Sequence, residues 1–379
     1  MQKVSITKTL TYNQEEVTLS IRRHFELLKL KEFLQPNMRV LLKPNLLMKR
    51  KPEEITTTHP AVIAGIIVCL KELGVTDITL ADSPGGPYTK QALSGIYEVS
   101  GMKKLAQEYD IKLNYDFGSF ECKVENGVMV QNFTLINPIQ NADFIIDIAK
   151  LKTHCMTTLS GGVKNLFGTV PGLMKPEFHF RFPDKDDFTN MLIDLCETVK
   201  PNVTFVDAII SMEGDGPSGG TPRETGLILA SKSPYNLDVC LCKVINVELD
   251  TVPTVYQAIK RGLCVDNINK LDLVGDEIFT VEDYKMPNVK GVDFMNNISP
   301  FWRKVCTPFA KTFLVSKPVI QKRKCVGCGK CAESCPAQVI EIVNRKANIN
   351  YKECIKCFCC HEMCPIKVID IKRFKLFDF

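Results

Sequence analysis

Over residues 1 to about 285, short runs of aliphatic and β-branched residues alternate with longer stretches whose apolar positions recur every three to four residues. The first pattern specifies a strand and the second an amphipathic helix. Arg39-Val-Leu-Leu-Lys43 reads as an apolar strand and Asp77-Ile-Thr-Leu-Ala81 as the next. Between them, Pro60 to Leu73 carries Val62, Ile63, Ile66, Ile67 and Leu70 on one side. Pro60 suits the first helical turn and Gly74 the C-terminal cap. Strand, helix and strand in this order predict a βαβ unit with a right-handed crossover between parallel strands. Further strands are expected at Phe144 to Ala149, Val203 to Ala208 and Gly226 to Ala230. The body is therefore predicted to be α/β with a mostly parallel sheet.

From about residue 286 to 317 the periodicity fades, and Pro300, Pro308 and the single tryptophan, Trp302, fall here. This segment is expected to be a packed connector. Residues 318–379 then contain an internal repeat, in which Cys325 to Ile342 realigns on Cys354 to Ile371. Cys335-Pro-Ala-Gln-Val-Ile-Glu-Ile echoes Cys364-Pro-Ile-Lys-Val-Ile-Asp-Ile. Two such half-units predict a small α+β module with a pseudo-twofold repeat.

The repeat carries the most specific chemistry in the chain. Cys325-x2-Cys328-x2-Cys331-x3-Cys335-Pro336 and Cys354-x2-Cys357-x2-Cys360-x3-Cys364-Pro365 both have the spacing that binds a 4Fe–4S cluster. Three closely spaced thiolates reach three irons of one cube, and the fourth comes from the other run. Cys325, Cys328, Cys331 and Cys364 are thus expected to hold one cluster, and Cys354, Cys357, Cys360 and Cys335 the other. Cys359 adjoins a ligand but breaks the spacing, and reads as a spare thiol. Structural zinc is the alternative for cysteine-rich motifs, but the third cysteine and the Cys-Pro ending of each run argue against it. The tail resembles the two-cluster bacterial ferredoxins over roughly residues 318 to 374.

In the body, the polar residues that follow the strands matter most, because open parallel sheets bind ligands beyond the carboxyl ends of their strands. The first strand ends in Lys43-Pro44-Asn45 and the second in Asp82-Ser83-Pro84-Gly85. The third runs through Lys150 and Lys152 to His154, and the fourth through Asp207 to Glu213-Gly214-Asp215-Gly216-Pro217. Ser160-Gly161-Gly162-Val163-Lys164-Asn165 adds a glycine turn able to offer backbone N–H groups to an anion, with Lys164 to neutralise it. Together these predict a site for an anionic small molecule, a divalent metal, or both. Lys43, Lys152 and Lys164 would bind the anion, and His154 would act as acid, base or metal ligand. Asp82 and Asp207 would hold a cation or orient the bases. Each group also has a structural reading. Lys43 and Asp82 could pair with each other, Asp82 to Gly85 could be only a turn, and His154 could be an interior histidine. His59 is as well placed to cap a helix as to bind a ligand, and residues 213–221 could be only a glycine-rich loop. No Walker A, dinucleotide-binding, nucleophile-elbow or zinc-protease motif is present.

Composition narrows the setting. Seventeen cysteines include eight expected ligands, and most others sit in apolar stretches, as reduced core thiols do. No apolar signal region or membrane-length apolar run is evident. A soluble protein of a strongly reducing cytoplasm is expected. The net charge of +5 is uneven, with 12 Lys and Arg against 6 Asp and Glu in residues 318–379, and 36 against 37 in the remainder. The basic tail offsets anionic clusters or steers an acidic redox partner such as a ferredoxin or flavodoxin. Lys322, Arg323 and Lys324 also read as a solvated linker. The basic residues lack interleaved aromatics, which argues against nucleic acid.

Leu42-Lys43-Pro44-Asn45-Leu46, Thr57-Thr58-His59-Pro60, Ala81-Asp82-Ser83-Pro84-Gly85, Lys150-Leu151-Lys152-Thr153-His154 and Ser160 to Gly168 together resemble the domain of unknown function 362 family. The resemblance covers roughly residues 35 to 245, and members often carry a C-terminal two-cluster module. It implies a shared pocket but no agreed reaction. The leading expectation is an iron–sulfur oxidoreductase that passes single electrons through two clusters to an anionic substrate or metal centre in the body. The alternatives are an electron-transfer adaptor with a docking body, and a non-redox enzyme whose clusters are structural or sensory.

Overall fold

A computed structural model describes residues 3–287 and 316–372. The expected connector, with Pro300, Trp302 and Pro308, lies almost wholly outside the described residues. The body is built on β1 (Lys3–Lys8), β2 (Val40–Pro44), β3 (Ile78–Leu80), β4 (Lys112–Leu113), β5 (Ser119–Lys123), β6 (Asn132–Ile136), β7 (Phe144–His154), β8 (Thr158–Ser160), β9 (Val203–Glu213), β10 (Thr221–Ser231) and β11 (Asp272–Gly275). The main sheet runs β11-β1-β10-β9-β7-β2-β3-β4, with β8 folded onto β7. From β4 through β3, β2 and β7 to β9 every pairing is parallel. The other edge is mixed, because β10 runs antiparallel to both β9 and β1 while β11 lies parallel to β1. β5 and β6 form a separate antiparallel pair.

The expected βαβ unit is present. The helix Pro60–Glu72 starts on Pro60, is capped by the His59 ring accepting from the Ala61 N–H, and ends before Gly74 at φ +82°. That left-handed conformation suits glycine at a helix end. Strand alternation distributes β2 between two cores. Val40 and Leu42 pack with helices Gln14–Leu27 and Pro60–Glu72, whereas Leu41 packs with helix Lys185–Val199. Helix Pro234–Val244 covers β1, β9 and β10. Helices thus lie on both faces of the sheet.

Two strand readings need correction. β9 continues to Glu213 and turns directly into β10, so residues 214–220 are the turn of a long hairpin and not a loop beyond a parallel strand. β7 likewise runs to His154, with all eleven residues buried although Asp147, Lys150, Lys152 and His154 are among them.

The C-terminal module has two antiparallel pairs, β12 (Lys317–Ile320) with β15 (Ile369–Lys372) and β13 (Ile340–Val343) with β14 (Lys346–Ile349). Two short helices, Lys330–Glu333 and Cys359–Glu362, lie between them in sequence. Several hydrogen bonds fasten the module to the body. Ser218 Oγ donates to Glu362 O at 2.7 Å, and Arg50 Nη2 donates to Cys364 O at 3.3 Å. His361 Nε2 lies 3.1 Å from Asp215 O.

Candidate active site at the junction of body and module

A cavity of about 670 Å³, counting its open mouth, lies where the carboxyl ends of β2 and β7 meet the C-terminal module. Its wall brings together Lys43, Asn45, Asp82, Ser83, Lys152, His154, Lys164 and Asn165 from the body. Ser334, Cys359, Glu362 and Met363 contribute from the module.

The floor is a hydrogen-bonded lattice. Lys43 Nζ meets Asp82 Oδ1 at 2.8 Å, and both side chains are buried. Burial pushes the Asp82 carboxyl up, while Lys43 and the Leu46 N–H oppose that shift. Asp82 Oδ2 accepts from Leu46 N at 2.7 Å, which fixes the turn after β2. Asn45 Nδ2 donates to Asn165 Oδ1 at 2.8 Å, and Asn165 Nδ2 donates to Asp147 at 2.7 Å. Gly168 closes the lattice from above: its carbonyl accepts from Ser83 N, and a Cβ there would collide with Asp82 Oδ1.

Above this floor stand three further cations. Lys152 Nζ donates to Asn45 Oδ1 at 2.9 Å and Thr56 O at 2.8 Å, with no carboxylate of the described residues in contact. Burial, and next the charge of Lys164, pushes its ammonium down to about 7. Lys175 Nζ donates to Ser83 Oγ, Pro84 O and Val170 O, and burial brings it also to about 7. Lys164 is held over the Phe167 ring at 4.7 Å from its centroid, and burial lowers its affinity for the proton. The site thus concentrates positive charge with few carboxylates to neutralise it, which suits a bound anion.

The two histidines of the wall are neutral. His154 Nδ1 accepts from the N–H groups of Met156 at 3.1 Å and Thr157 at 3.3 Å. Its proton therefore sits on Nε2, which lies 3.3 Å from Glu362 Oε1 without the alignment of a hydrogen bond. Burial, with Lys164 nearby, holds its pKa well below the ordinary histidine value. Glu362 is buried, and its Oε1 has no hydrogen-bond partner among the described residues. His179 stacks on Phe188 at 4.3 Å, burial drives it down to about 3, and its Nδ1 is buried without a partner.

Two smaller cavities lie in the module. One, of about 330 Å³, is lined by Cys325, Cys328, Cys331 and Cys364 with Val326, Ile342 and Ile366. The other, of about 310 Å³, is lined by Cys335, Cys354, Cys357 and Cys360. Each takes three thiols from one run and the fourth from the other. The Ala347 N–H points at Cys325 Sγ and the Val368 N–H at Cys364 Sγ, both at 3.4 Å. Thiols spread around an apolar chamber and reached by backbone N–H groups suit a cubane, since each thiolate takes its own iron. Cys359 lines neither chamber and faces the large cavity, on the opposite side of the chain from Cys360.

Other expected site residues lie elsewhere. Asp207 is outside the cavity, where its carboxylate accepts from Lys150 Nζ at 2.9 Å, Tyr12 Oη at 2.8 Å and the His59 N–H at 2.9 Å. Glu213 is buried away from it and accepts from Lys285 N at 3.1 Å. Asp82, His154 and Asp207 therefore do not converge, and among the described residues no three His, Cys, Asp or Glu side chains form a site for a single ion. The N–H groups of Gly162 and Val163 are not offered to an anion, because Asp238 accepts both, at 2.7 and 3.2 Å. His59 caps its helix and stacks on Tyr12. Lys175, His179 and Glu362 were not anticipated. Glu362 sat between expected cluster ligands, and the other two carry no motif.

Comparison with known proteins agrees with this division. The profile of the Domain of unknown function (DUF362) matches residues 40–243, and that of a 4Fe-4S dicluster domain matches residues 317–365. The thylakoid-associated protein sll1697 of Synechocystis is 32% identical over 266 residues, which are 69% of this chain and 80% of that protein. Among solved structures, the lactate racemase apoprotein from Thermoanaerobacterium thermosaccharolyticum aligns with a TM-score of 0.39 and 11% identity. That alignment covers 63% of this chain and 56% of the racemase. Among the described residues, no helix is long and apolar enough to cross a membrane.

Proposed function

This chain belongs to the DUF362 family and carries a 4Fe-4S dicluster domain, and we propose that it is an iron–sulfur oxidoreductase acting on a small anion held between the two. The dicluster domain itself supports an iron–sulfur electron-transfer role. The observation that carries the proposal is the shared wall of the cavity, in which Cys359 and Glu362 of the module face Lys152 and Lys164 of the body.

In this reading Cys325, Cys328, Cys331 and Cys364 hold one 4Fe–4S cluster, and Cys335, Cys354, Cys357 and Cys360 the other, in a pseudo-twofold ferredoxin-like module spanning residues 318–379. When bound, the clusters supply single electrons at low potential. The chain's own residues do the rest. Lys164, which has no acceptor in contact among the described residues, binds the anion as a point charge, while Lys152 and Lys175 polarise it from fixed positions. Lys152 and Lys175 are poised near neutrality, so either can hold or release a proton at its Nζ atom. Asp82, Asn45, Asn165 and Ser83 keep the lysines in register. His154 does not act as a base, because its Nδ1 is already occupied. No divalent cation is needed, since Lys43 neutralises Asp82 and Lys150 neutralises Asp207.

The enclosure of these ammonium groups supports an enzyme over an electron-transfer adaptor, because a docking surface needs exposed charge. The test is to purify the protein without oxygen, extract it, and identify retained small anions by mass spectrometry. The wild type should retain one, and Lys164→Met should lose it with unchanged iron. Equal retention by both would refute the assignment.

A further inference from the structure

The two cysteine chambers differ in exposure. Cys328 is exposed in the first set, whereas none of the second set is. Around Cys328, three large apolar side chains of the same chamber wall face solvent: Val326 is 61% exposed, Ile366 42% and Ile342 39%. Isolated exposed aliphatics are ordinary, but three gathered on one chamber wall mark an interaction surface.

Basic residues adjoin them in the chain. Arg323 and Lys324 lead into the first cysteine run, and both are exposed. Arg345 is also exposed, and its backbone packs so closely on Gly327 that a Cβ there would collide with the Arg345 carbonyl. Lys346 Nζ donates to Cys325 O at 2.6 Å, which ties the β13–β14 turn to the same chamber. Lys330 is already paired with Glu333 at 2.6 Å. The one acid of that hairpin, Glu341, precedes Ile342 and so faces the other side of the strand.

An apolar centre over a thiol-lined chamber, with a cationic rim, is complementary to one class of partner. We infer that the face formed by Val326, Ile342 and Ile366, with Arg323, Lys324 and Arg345, is the docking surface for an acidic one-electron carrier protein. This rests on the oxidoreductase reading and names the side from which it is supplied. In each encounter the reduced carrier loses one electron and this chain gains one. Opposite charges steer the encounter, and the apolar centre excludes water from it. The second chamber has no exposed cysteine, and Cys359, next in sequence to its Cys360, lines the anion cavity.

The test uses the complete, anaerobically purified protein with two acidic probes, a plant-type 2Fe–2S ferredoxin and a flavodoxin, and measures affinity by calorimetry. At least one probe should bind. Its affinity should fall about tenfold or more as salt rises from about 0.02 to about 0.3 M, because the screening length of the rim charges shrinks from about 20 to about 6 Å across that range. Arg345→Glu, alone and with Lys324→Glu, should weaken binding about tenfold at low salt with unchanged iron content. Ile366→Ser should weaken it without changing the salt dependence, and Lys31→Glu on the body should have no effect. Binding that is absent for both probes, indifferent to salt, or unchanged in Arg345→Glu overturns the inference. Anion turnover driven by dithionite separates the two proposals: if it persists while docking fails, only the docking surface is wrong.

Discussion

His154 Nε2, at the last residue of β7, lies 3.3 Å from Glu362 Oε1 in the short helix that also carries Cys359 and Cys360. Through this contact the sheet of the body reaches the wall of the module. Two backbone N–H groups fix the ring's tautomer and leave its remaining proton on Nε2, beside the carboxylate.

His154→Ala should destabilise the protein by about 1–3 kcal/mol, because it leaves two backbone donors without their buried acceptor. Anaerobic denaturant unfolding measures this. A loss under about 0.5 kcal/mol would show that these bonds carry no weight.

Lys43 and Lys164 should behave in opposite ways. Lys43 neutralises buried Asp82, so Lys43→Met should cost about 3–5 kcal/mol. Lys164 has no carboxylate of the described residues in contact, so Lys164→Met should leave stability unchanged or slightly raised while weakening anion binding about tenfold or more. Thermal melts paired with anion titrations of both variants would expose any reversal of this order.

Much of this site was legible in the chain. Lys43-Pro-Asn, Asp82-Ser and Lys152-x-His154 follow short apolar runs, and the rule that parallel strands present ligands at their carboxyl ends brought them together. Asp207 shares that pattern yet faces Lys150, because β9 does not end there but continues as a hairpin strand. Pairing partners decide where a strand ends, and a single strand's sequence does not state them. The glycine turn at 161–162 misled for a similar reason: Asp238, distant in sequence, takes its N–H groups. Lys175 and His179 lie on the helix Met174–Arg181 with no motif, and only tertiary packing turns them toward the cavity. Glu362 could not be read as a cavity residue until the module was seen against the body.

Lys152 and Lys175 set the pH response. Burial brings both from the ordinary lysine value of 10.5 to about 7. Below about 7 both are charged, so anion affinity should be highest there and decline as pH rises through neutrality, with saturating anion moving the decline upward. Stability follows the other sign. Between about 7 and 10.5 the unfolded lysines hold protons that the folded ones lack, so their contribution to stability rises with pH across that window. Lys152→Met should flatten the affinity profile, and an unaltered profile would remove Lys152 from the site.

Cys335 belongs to the first cysteine run but lines the second chamber. Cys335→Ala should damage the cluster assigned to Cys354, Cys357 and Cys360, whereas Cys359→Ala should keep full iron. Iron analysis with Mössbauer spectra checks both. Loss confined to the chamber of Cys325, Cys328 and Cys331 would show that the runs are not crossed.

The most direct test of the shared cavity is the electron paramagnetic resonance of dithionite-reduced protein during titration with small carboxylates and phosphate. If Cys359 and Glu362 wall the anion site beside one cluster, a binding anion should perturb one cluster signal saturably. The Lys164→Met variant should lose that response with its iron intact. An anion shown by calorimetry to bind at Lys164 while both cluster signals stay unchanged would contradict the account.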